Sequence, residues 1–558
     1  MGLGHRCRFI YCLKFPLIWI LLVEVIGFYF GRAFYVNSLI GPFLCGLIGL
    51  LASWLCLKKY EGVLSNVFIG FLFLLSMSLM FFGYYKFRVP DLPNDYRDLP
   101  PREVVVSLAI MEVKFSEKNL FGIGRIVVTN KVAEYMIGRE VRFMLRKPEE
   151  GESVVKGSIV KVNGVLSAIS ENDYYNESYK RYLKSSGILH EIRRGRVLRE
   201  QKKTSFSRRF FKTVNVKLNE ALTNGVVNEE GLPIYRAMLL GEKQVLVGAQ
   251  KDAFQKTGTM HLFAISGLHI CIVATLIGGS LFLLPISFQL KGVLGLVVLF
   301  CYVRVTGDSA SALRAFFMVL FFVGSFIVAR QYNAFGALVA SAVIMLLLNP
   351  GQLWSLGFQL SYSVVMGILF YGVPLATFLQ ERFVLWRYLP EKSVSWLQRL
   401  VRWVWKNVLG SFGVSVSAVI LSAPLVVCYF NIFTPSSVLV NVPLVFIATL
   451  VMGLGGFSIF IQGFGLSSVG CLLNQLSIHL IDLMTFFTSK AVVLPGAYFV
   501  MDEVSAFATY LTLGLLLAFL LMMELLKPLF VKWLGGAYRK TLLLFPPFTL
   551  IVYLIWQR

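Results

Sequence analysis

What most constrains this chain is a series of apolar runs, each close to the length of a membrane helix, recurring from residue 15 to residue 555. A run of about 20 residues spans the hydrocarbon core of a bilayer as an α-helix. Of the 558 residues, 57% are hydrophobic and 48 are phenylalanine. The expected fold class is therefore a polytopic α-helical membrane protein, with about 11–13 transmembrane helices. Runs at 15–36, 38–57 and 63–85 come first, and a long polar region follows them. The remaining runs lie at 261–284, 292–305, 313–329, 334–348, 353–375, 408–429, 438–463, 467–489, 506–526 and 541–555. No small-residue cleavage site follows the first run, so it reads as an anchor rather than a removed signal peptide.

Charge orients these runs. His5, Arg6, Arg8 and Lys14 precede the first and Lys58 and Lys59 follow the second. The positive-inside rule then makes the N-terminus cytoplasmic and residues of about 86–259 extracytoplasmic. Five further crossings end at a loop holding Arg382, Arg387, Lys392, Arg399, Arg402 and Lys406, so parity and charge agree. Trp386, Trp396, Trp403 and Trp405 in that loop predict an amphipathic interfacial helix.

The polar region begins with stretches that alternate in period two, at 103–112, 122–129, 140–145 and 158–169, which predicts a small β-barrel. Phe115, Phe121, Tyr135 and Phe143 are candidates for stacking on bases, although aromatics in strands ordinarily fill a core. Next comes the densest positive run: Arg193, Arg194, Arg196, Arg199, Lys202, Lys203, Arg208, Arg209, Lys212 and Lys217, interrupted by Glu200 alone. Such a run attracts a polyanion in a salt-dependent way; the competing reading is a surface that sits on anionic lipid headgroups. None of the eight cysteines lies in the polar region, so no disulfide framework is expected there. With five scattered histidines and no CxxC pair, neither a metal site nor another cofactor is expected. No G-x-x-x-x-G-K-[ST] stretch occurs.

Polar groups in the apolar runs are the candidates for function, because a bilayer accepts them only at a cost. The decapeptide HLFAISGLHI at 261–270 carries His261, Ser266 and His269. On one continuous helix Ser266 and His269 would share a face, with His261 about two turns earlier. Arg304, Asp308, Arg314, Asn349, Gln359, Ser361, Asn441, Asn474, His479 and Asp482 follow. Arg304 at a membrane edge and Asp308 as a helix cap have structural readings, while Arg314 lies deeper. Gln359 and Ser361 are two apart and do not share a helix face; bridging of neighbouring helices is a common use of such residues. Pro424, Pro443 and glycines 453, 455 and 456 are candidate helix breaks lining a cavity. In the alternative of an intramembrane serine protease, Ser266 would be a nucleophile with His269, or with His479 from another helix, as base. Residues three apart rarely align for that, and the segment lacks the first glycine of G-x-S-x-G. A small-solute transporter is the other alternative, with the basic outer region against it.

Taken together, the decapeptide, Gly241, Glu242, Lys243, Phe254 and Gly258 upstream, and Asn349-Pro350, GFQLSY at 357–362, Asn441 and Pro443 downstream, resemble the core signature of the ComEC family. These are competence proteins of the bacterial membrane that bring transforming DNA into the cell; the resemblance covers about 88–495. It implies an OB-like fold for the outer barrel, an architecture that binds single strands. The segment DYYNESYKRYLKSSGI, 173–188, resembles the family's link between barrel and membrane core. Expected domains are a three-helix anchor (1–87), an extracytoplasmic OB-like module (88–192), a basic linker (193–259) and a channel domain (260–558). Many relatives carry a metallo-β-lactamase-like nuclease domain; no His-x-His-x-Asp-His stretch occurs here, so enzyme activity is not expected. The implied function is a channel for single-stranded DNA in the bacterial inner, or sole plasma, membrane. Its implied partners are an outer DNA receptor and nuclease, and a cytoplasmic ATP-driven motor or single-strand-binding proteins. Channel-lining candidates are His261, Ser266, His269, Arg314, Asn349, Gln359, Ser361 and Asn441. DNA-binding candidates are Arg193, Arg194, Arg196, Arg199, Lys202, Lys203, Arg208 and Arg209. Neutral polar side chains suit a hydrated lumen because they donate to phosphates without trapping them.

Overall fold

The computed structural model describes residues 16–34, 40–59, 63–89, 100–115, 119–129, 131–146, 154, 157–169, 180, 183, 187–201, 206–228, 230–242, 248–263, 265–307, 309–390, 393–501, 504–527 and 536–557. The helices are α1 (Pro16–Ala33), α2 (Ile40–Lys59), α3 (Val63–Arg88), α4 (Phe206–Thr223), α5 (Leu232–Leu240), α6 (Gly248–Lys256), α7 (Gly267–Phe282), α8 (Phe288–Val305) and α9 (Ala310–Ile327). They continue with α10 (Ala334–Leu348), α11 (Leu356–Gly367), α12 (Val373–Arg382), α13 (Trp396–Phe430), α14 (Ser437–Gly463), α15 (Ser467–Val493), α16 (Ala506–Leu525) and α17 (Gly536–Trp556). The chain forms two compact units, 1–204 with 336–358, and 205–335 with 359–558.

In the first unit α1 and α2 pack on α3. Small residues set the spacing: a Cβ on Gly27 would lie 2.5 Å from the Ser78 carbonyl oxygen, and one on Gly46 2.7 Å from that of Ser76. Without a hydrophobic driving force in lipid, such backbone approach is what holds apolar helices together. Tyr84 and Arg88 at the end of α3 donate to the carbonyls of Leu347 and Leu348, the orphan acceptors at the end of α10.

The rest of this unit is a closed barrel of β1 (Arg102–Phe115), β2 (Asn119–Thr129), β3 (Glu140–Arg146), β4 (Ile159–Ala168) and β5 (His190–Gln201), in the order β1-β2-β3-β5-β4. Neighbours are antiparallel except β3 and β5, which are parallel. This is the OB-like arrangement. Val104, Val106, Leu108 and Ile110 face inward in period two; an irregularity between Ile110 and Glu112 then shifts the inward position to Val113. Phe143 is fully buried, and Tyr135 packs against the same core, so these two belong to the barrel interior and its margin rather than to a free stacking surface.

Two expectations change here. The barrel does not end at 192: β5 continues to Gln201, so the first arginines of the basic run are strand residues. Likewise segment 173–188 lies between β4 and β5, within the barrel module; of its described residues, Leu183 and Ile188 are buried beside Ile169. The strand was hidden because Arg194 interrupts its alternation, at φ 50°, where the register slips. Glycines open the space there: Cβ atoms on Gly164 and Gly195 would strike Ile192 and Leu145.

The second unit is helical and is built around α5, nine residues long and buried at Ile234, Tyr235 and Ala237 through Leu240. Pro233 opens it, and Gly241 at φ 75° closes it by donating its N–H to the Ala237 carbonyl. The Tyr302 hydroxyl of α8 donates to the Leu239 carbonyl at 2.7 Å. Leu222, Phe254, Leu262, Phe263 and Ile265 complete this core with residues of α7, α8, α9, α14 and α15. Glycines 455 and 456 prove to be contact points, against Tyr235 with Leu239 and against Leu276, not helix breaks. Pro424 and Pro443 also lie inside continuous helices. The expected broken helices are therefore absent at those sites; packing against neighbours compensates for the lost backbone bonds.

A helix distortion does occur elsewhere. Between α11 and α12 the chain makes a π turn at Ile368–Gly372, just ahead of Pro374, which lacks the N–H that a regular turn would use. Gly372 and Gly413 bring this stretch against Ser417 and Ala376. The expected interfacial helix and the span after it are one helix, α13, of 35 residues. Among the described residues eight helices are long and apolar enough to cross a membrane, and four shorter apolar ones accompany them, which gives a multi-pass α-helical membrane protein with a small barrel module.

Candidate functional site

The decapeptide is not the start of one long helix. Met260–Phe263 form a 3-10 turn, Ser266 is extended at φ −102° and ψ 171°, and α7 begins at Gly267. The break has a packing cause: Leu262, Phe263 and Ile265 all enter the core, which a straight helix could not achieve. His261, Ser266 and His269 therefore do not form the single polar helix face expected from spacing. His261 is exposed, its Nδ1 3.2 Å from the Gly258 carbonyl. Ser266 is the N-cap of α7, and its N–H donates to His269 Nδ1 at 3.3 Å, as in the return half of a capping box. His269 is fully buried, and its Nε2 has no hydrogen-bond partner. The imidazole thus addresses the backbone of Ser266, which is the geometry of a cap rather than of a base poised over a hydroxyl.

Neighbouring elements converge on this break. Gly258, at φ 69°, abuts Thr434 and Ser437 at the start of α14. The hydroxyls of Thr257 and Thr259, both buried, are 2.9 Å apart. Gly267 packs toward Ala315, since a Cβ on it would lie 3.9 Å from the Ala315 Cβ. Beside Ala315 on α9 is Arg314, 2% exposed, whose Nε and Nη1 have no hydrogen-bond partner. Its Cζ lies 5.8 Å from the centre of the Tyr362 ring, a cation–π contact from α11. Asn441, one turn after Ser437, is buried, and its Oδ1 also has no partner. Ser417 on α13 keeps a buried, unpartnered hydroxyl.

Gln359 and Ser361 lie half-buried on α11. Gln359 Oε1 accepts from the Tyr510 hydroxyl at 3.4 Å, and the Tyr510 and Tyr429 hydroxyls are 3.0 Å apart. Gln359 is thereby part of a polar string linking α11, α16 and α13. Tyr429, Tyr510 and Ser417 were not among the candidates from the sequence, and Tyr362 entered there only as the end of the GFQLSY stretch.

The structure gives other candidates a local task. Asn349, in the first unit, uses its side chain to accept the Gly351 N–H at 3.1 Å and starts the 3-10 turn Pro350–Trp354. Asn474 donates to the carbonyls of Ala221 and Asn224 at 2.8 and 3.0 Å and accepts from the Tyr235 hydroxyl at 3.1 Å. Gln462 also donates to the Ala221 carbonyl, at 2.8 Å. The two amides thus satisfy the exposed acceptors at the end of α4. Asp482 accepts from Asn228 at 3.2 Å. His479 is exposed on α15, and Arg304 stacks its guanidinium on Phe211. Asp308 lies outside the described residues.

The basic run divides between two kinds of element. Arg193, Arg194, Arg196 and Arg199 are on β5; Lys202 and Lys203 lie outside the described residues; Arg208 and Arg209 are on α4, with side chains also outside them. Arg193 pairs through Nε with the buried Glu191 carboxylate. Arg194 and Arg196 are exposed, and on β4 so is Lys161, whose backbone register partner is Arg199.

The stretch from Met238 in α5 to the end of α16 is the one that known proteins share. The family model described as Competence protein matches residues 238–526. Over 149 residues the chain is 31% identical to "ComE operon protein 3" of Bacillus subtilis (strain 168), covering 27% of this chain and 19% of that protein. An "Uncharacterized protein" of Aquifex aeolicus (strain VF5) is 32% identical over 160 residues, 28% of this chain and 38% of the relative. "Uncharacterized protein YcaI" of Escherichia coli (strain K12) is 28% identical over 139 residues, 24% and 18% of the two chains. Each match thus covers well under half of the relative's length. No solved structure matches. The family match takes in the cap at Ser266, the unpaired Arg314 and the π turn, and by it the chain belongs to the Competence protein family.

Proposed function

We propose that this protein is a channel through which single-stranded DNA enters a bacterial cell during transformation. The reading rests most on one observation. Within the family-matched stretch, otherwise apolar helices keep buried polar atoms without partners: His269 Nε2, Arg314 Nε and Nη1, Ser417 Oγ and Asn441 Oδ1. Leaving such groups unpaired costs on the order of 1–3 kcal/mol each, more for a charge. That cost has a use if the groups meet water or phosphate when a strand passes. The description of the matching family, Competence protein, points the same way.

In this reading the protein sits in the inner, or sole plasma, membrane with its N-terminus in the cytoplasm and residues of about 86–259 outside. The barrel meets DNA first. Exposed Arg194, Arg196 and Lys161 supply phosphate contacts. An outer receptor and nuclease deliver a single strand, and a cytoplasmic ATP-driven motor or single-strand-binding proteins draw it in. The strand passes between helices lined by His269, Arg314, Gln359, Ser361 and Asn441. The domain division follows: anchor (1–87), outer module, basic segment and channel (260–558), with the outer module carried to Gln201 by its fifth strand.

The test is uptake of labelled DNA into cells that lack the chromosomal gene and carry it on a plasmid. Wild type should restore nuclease-protected DNA in the cytoplasm, and Arg314→Gln should lower it with the protein present at equal amount. Restoration by an empty plasmid, or uptake of DNA unchanged by loss of the gene, defeats the reading.

A further inference from the structure

The buried carboxyl of Glu24 lies far in sequence from the polar cluster of the second unit. Glu24 is midway along α1, a helix of 18 residues and therefore about 27 Å, close to the hydrocarbon thickness of a bilayer. It is 0% exposed, and neither Oε1 nor Oε2 has a hydrogen-bond partner. Glu24, Gly27, Phe28 and Gly31 form one face at helical spacing, and Leu17, Trp19, Leu22, Ile26 and Phe30 are exposed on the others.

That face lies on α3. Gly27 abuts Ser78 and Phe81, and Gly31 abuts Tyr85, so the two helices run parallel and the stretch near Leu74–Ser78 is level with Glu24. It offers leucine, methionine and serine. Ser76 turns its hydroxyl to the Leu72 carbonyl, and on α2 Ser53 turns its own to the Gly49 carbonyl. In sequence, the titratable and charged residues of these elements besides Glu24 are Cys45, Cys56, Lys58 and Lys59 on α2, Tyr84, Tyr85, Lys86 and Arg88 on α3, and Tyr29 and Arg32 on α1. Arg32 is stacked on Trp354. By helix rise, Lys58 and Lys86 stand roughly 12–16 Å along the bundle from Glu24. Among the described residues no cation at the level of Glu24 offsets a charge there, and the side chain is fully buried.

We propose that Glu24 is a proton-binding site at the centre of the N-terminal bundle, neutral in the packed state and able to give up its proton only when α1 parts from α3. Proton release and loosening of the bundle are then one event. Because a buried neutral carboxyl attacks apolar carbodiimides, the site is also a modification site. The acid's O–H adds across one C=N bond, giving an O-acylisourea, and an oxygen-to-nitrogen acyl shift traps it as a stable N-acylurea with no leaving group.

The experiment uses the full chain in lipid nanodiscs, dicyclohexylcarbodiimide as the apolar reagent and a water-soluble carbodiimide with glycine ethyl ester as the polar one. Peptide mass spectrometry locates the adducts. The apolar reagent should modify Glu24, with a yield that falls about tenfold per pH unit once the carboxyl ionises, and the polar reagent should not. Glu24→Gln should lose the adduct; if that variant does not accumulate, Glu24→Asp should retain it at lower yield. No adduct at Glu24 between pH 5 and 9 as estimated bounds of protein tolerance, or modification by the polar pair instead, overturns the proposal.

Discussion

The barrel and the helical core around α5 treat charged groups differently. In the barrel, charges stand in ion pairs: Arg125 meets Glu140 at 2.9 Å, and the buried Glu191 is pinned by Arg193. Its interior is valine, leucine and isoleucine with Ala133, Met136 and Phe143. In the helical core, buried polar groups fall into two sets. Asn474, Gln462 and Tyr235 bond to backbone carbonyls or to one another, whereas His269, Arg314 and Asn441 keep atoms that bond to nothing. The difference teaches that depth alone does not identify a functional residue in a membrane body. The useful distinction is between a polar group that closes the backbone's accounts and one that leaves its own open.

This contrast can be broken from either side. The largest effect belongs to the apolar barrel: Phe143→Ala should cost about 3–5 kcal/mol, read as loss of the barrel's protection from protease in the full chain. A smaller loss means the barrel is less a packed interior than its burial implies. Asn474→Leu should destabilise by roughly 1–3 kcal/mol, since it strips one donor each from the Ala221 and Asn224 carbonyls, of which Ala221 keeps Gln462, and one acceptor from the buried Tyr235; thermal unfolding in detergent gives the value. An unchanged midpoint removes Asn474 from the structural set.

Arg314→Gln sharpens the other half. It should leave thermal stability equal or higher, because removal of an unpaired buried charge relieves desolvation. DNA uptake should fall about 10–100-fold, the worth of one charged hydrogen bond. Reduced stability with normal uptake would move Arg314 to the structural set. The smallest effect is expected at the barrel surface: Arg194→Ala with Arg196→Ala should reduce the slope of log affinity against log salt by about 1.4 for single-stranded DNA, two phosphates' worth. An unchanged slope would take β5 out of the DNA path.

How much of this was legible depends on the element. Four strands appeared as alternation because their inward residues are aliphatic at every second position. The fifth did not, because Glu191 is buried by its ion pairs and Arg194 occupies a bulge. Membrane helices were visible as apolar runs, and an apolar run has no period that tells one helix from two. Hence the break at Ser266 was read through, although a serine followed by a glycine and a polar residue at the third position is a cap signal. Helix α5 was overlooked for its length, despite Pro233 and Gly241 marking both ends. The polar residues stand out in the sequence as costly in a membrane, but which of them bond and which do not is a matter of distant tertiary neighbours, as the Tyr235 to Asn474 separation of 239 shows.

That separation also bears on how the protein is made. The carbonyls of Ala221 and Asn224 wait for Asn474, 253 and 250 residues later in the chain. At ribosomal speeds of about 5–20 residues per second, roughly 12–50 s pass between synthesis of the two partners. During that interval α4 and α5 emerge without the helices that will cover them, and a nine-residue apolar helix is too short to settle across a bilayer alone. The nascent segment is thus a client for whatever insertase or chaperone attends the membrane, and its docking is a late step of assembly.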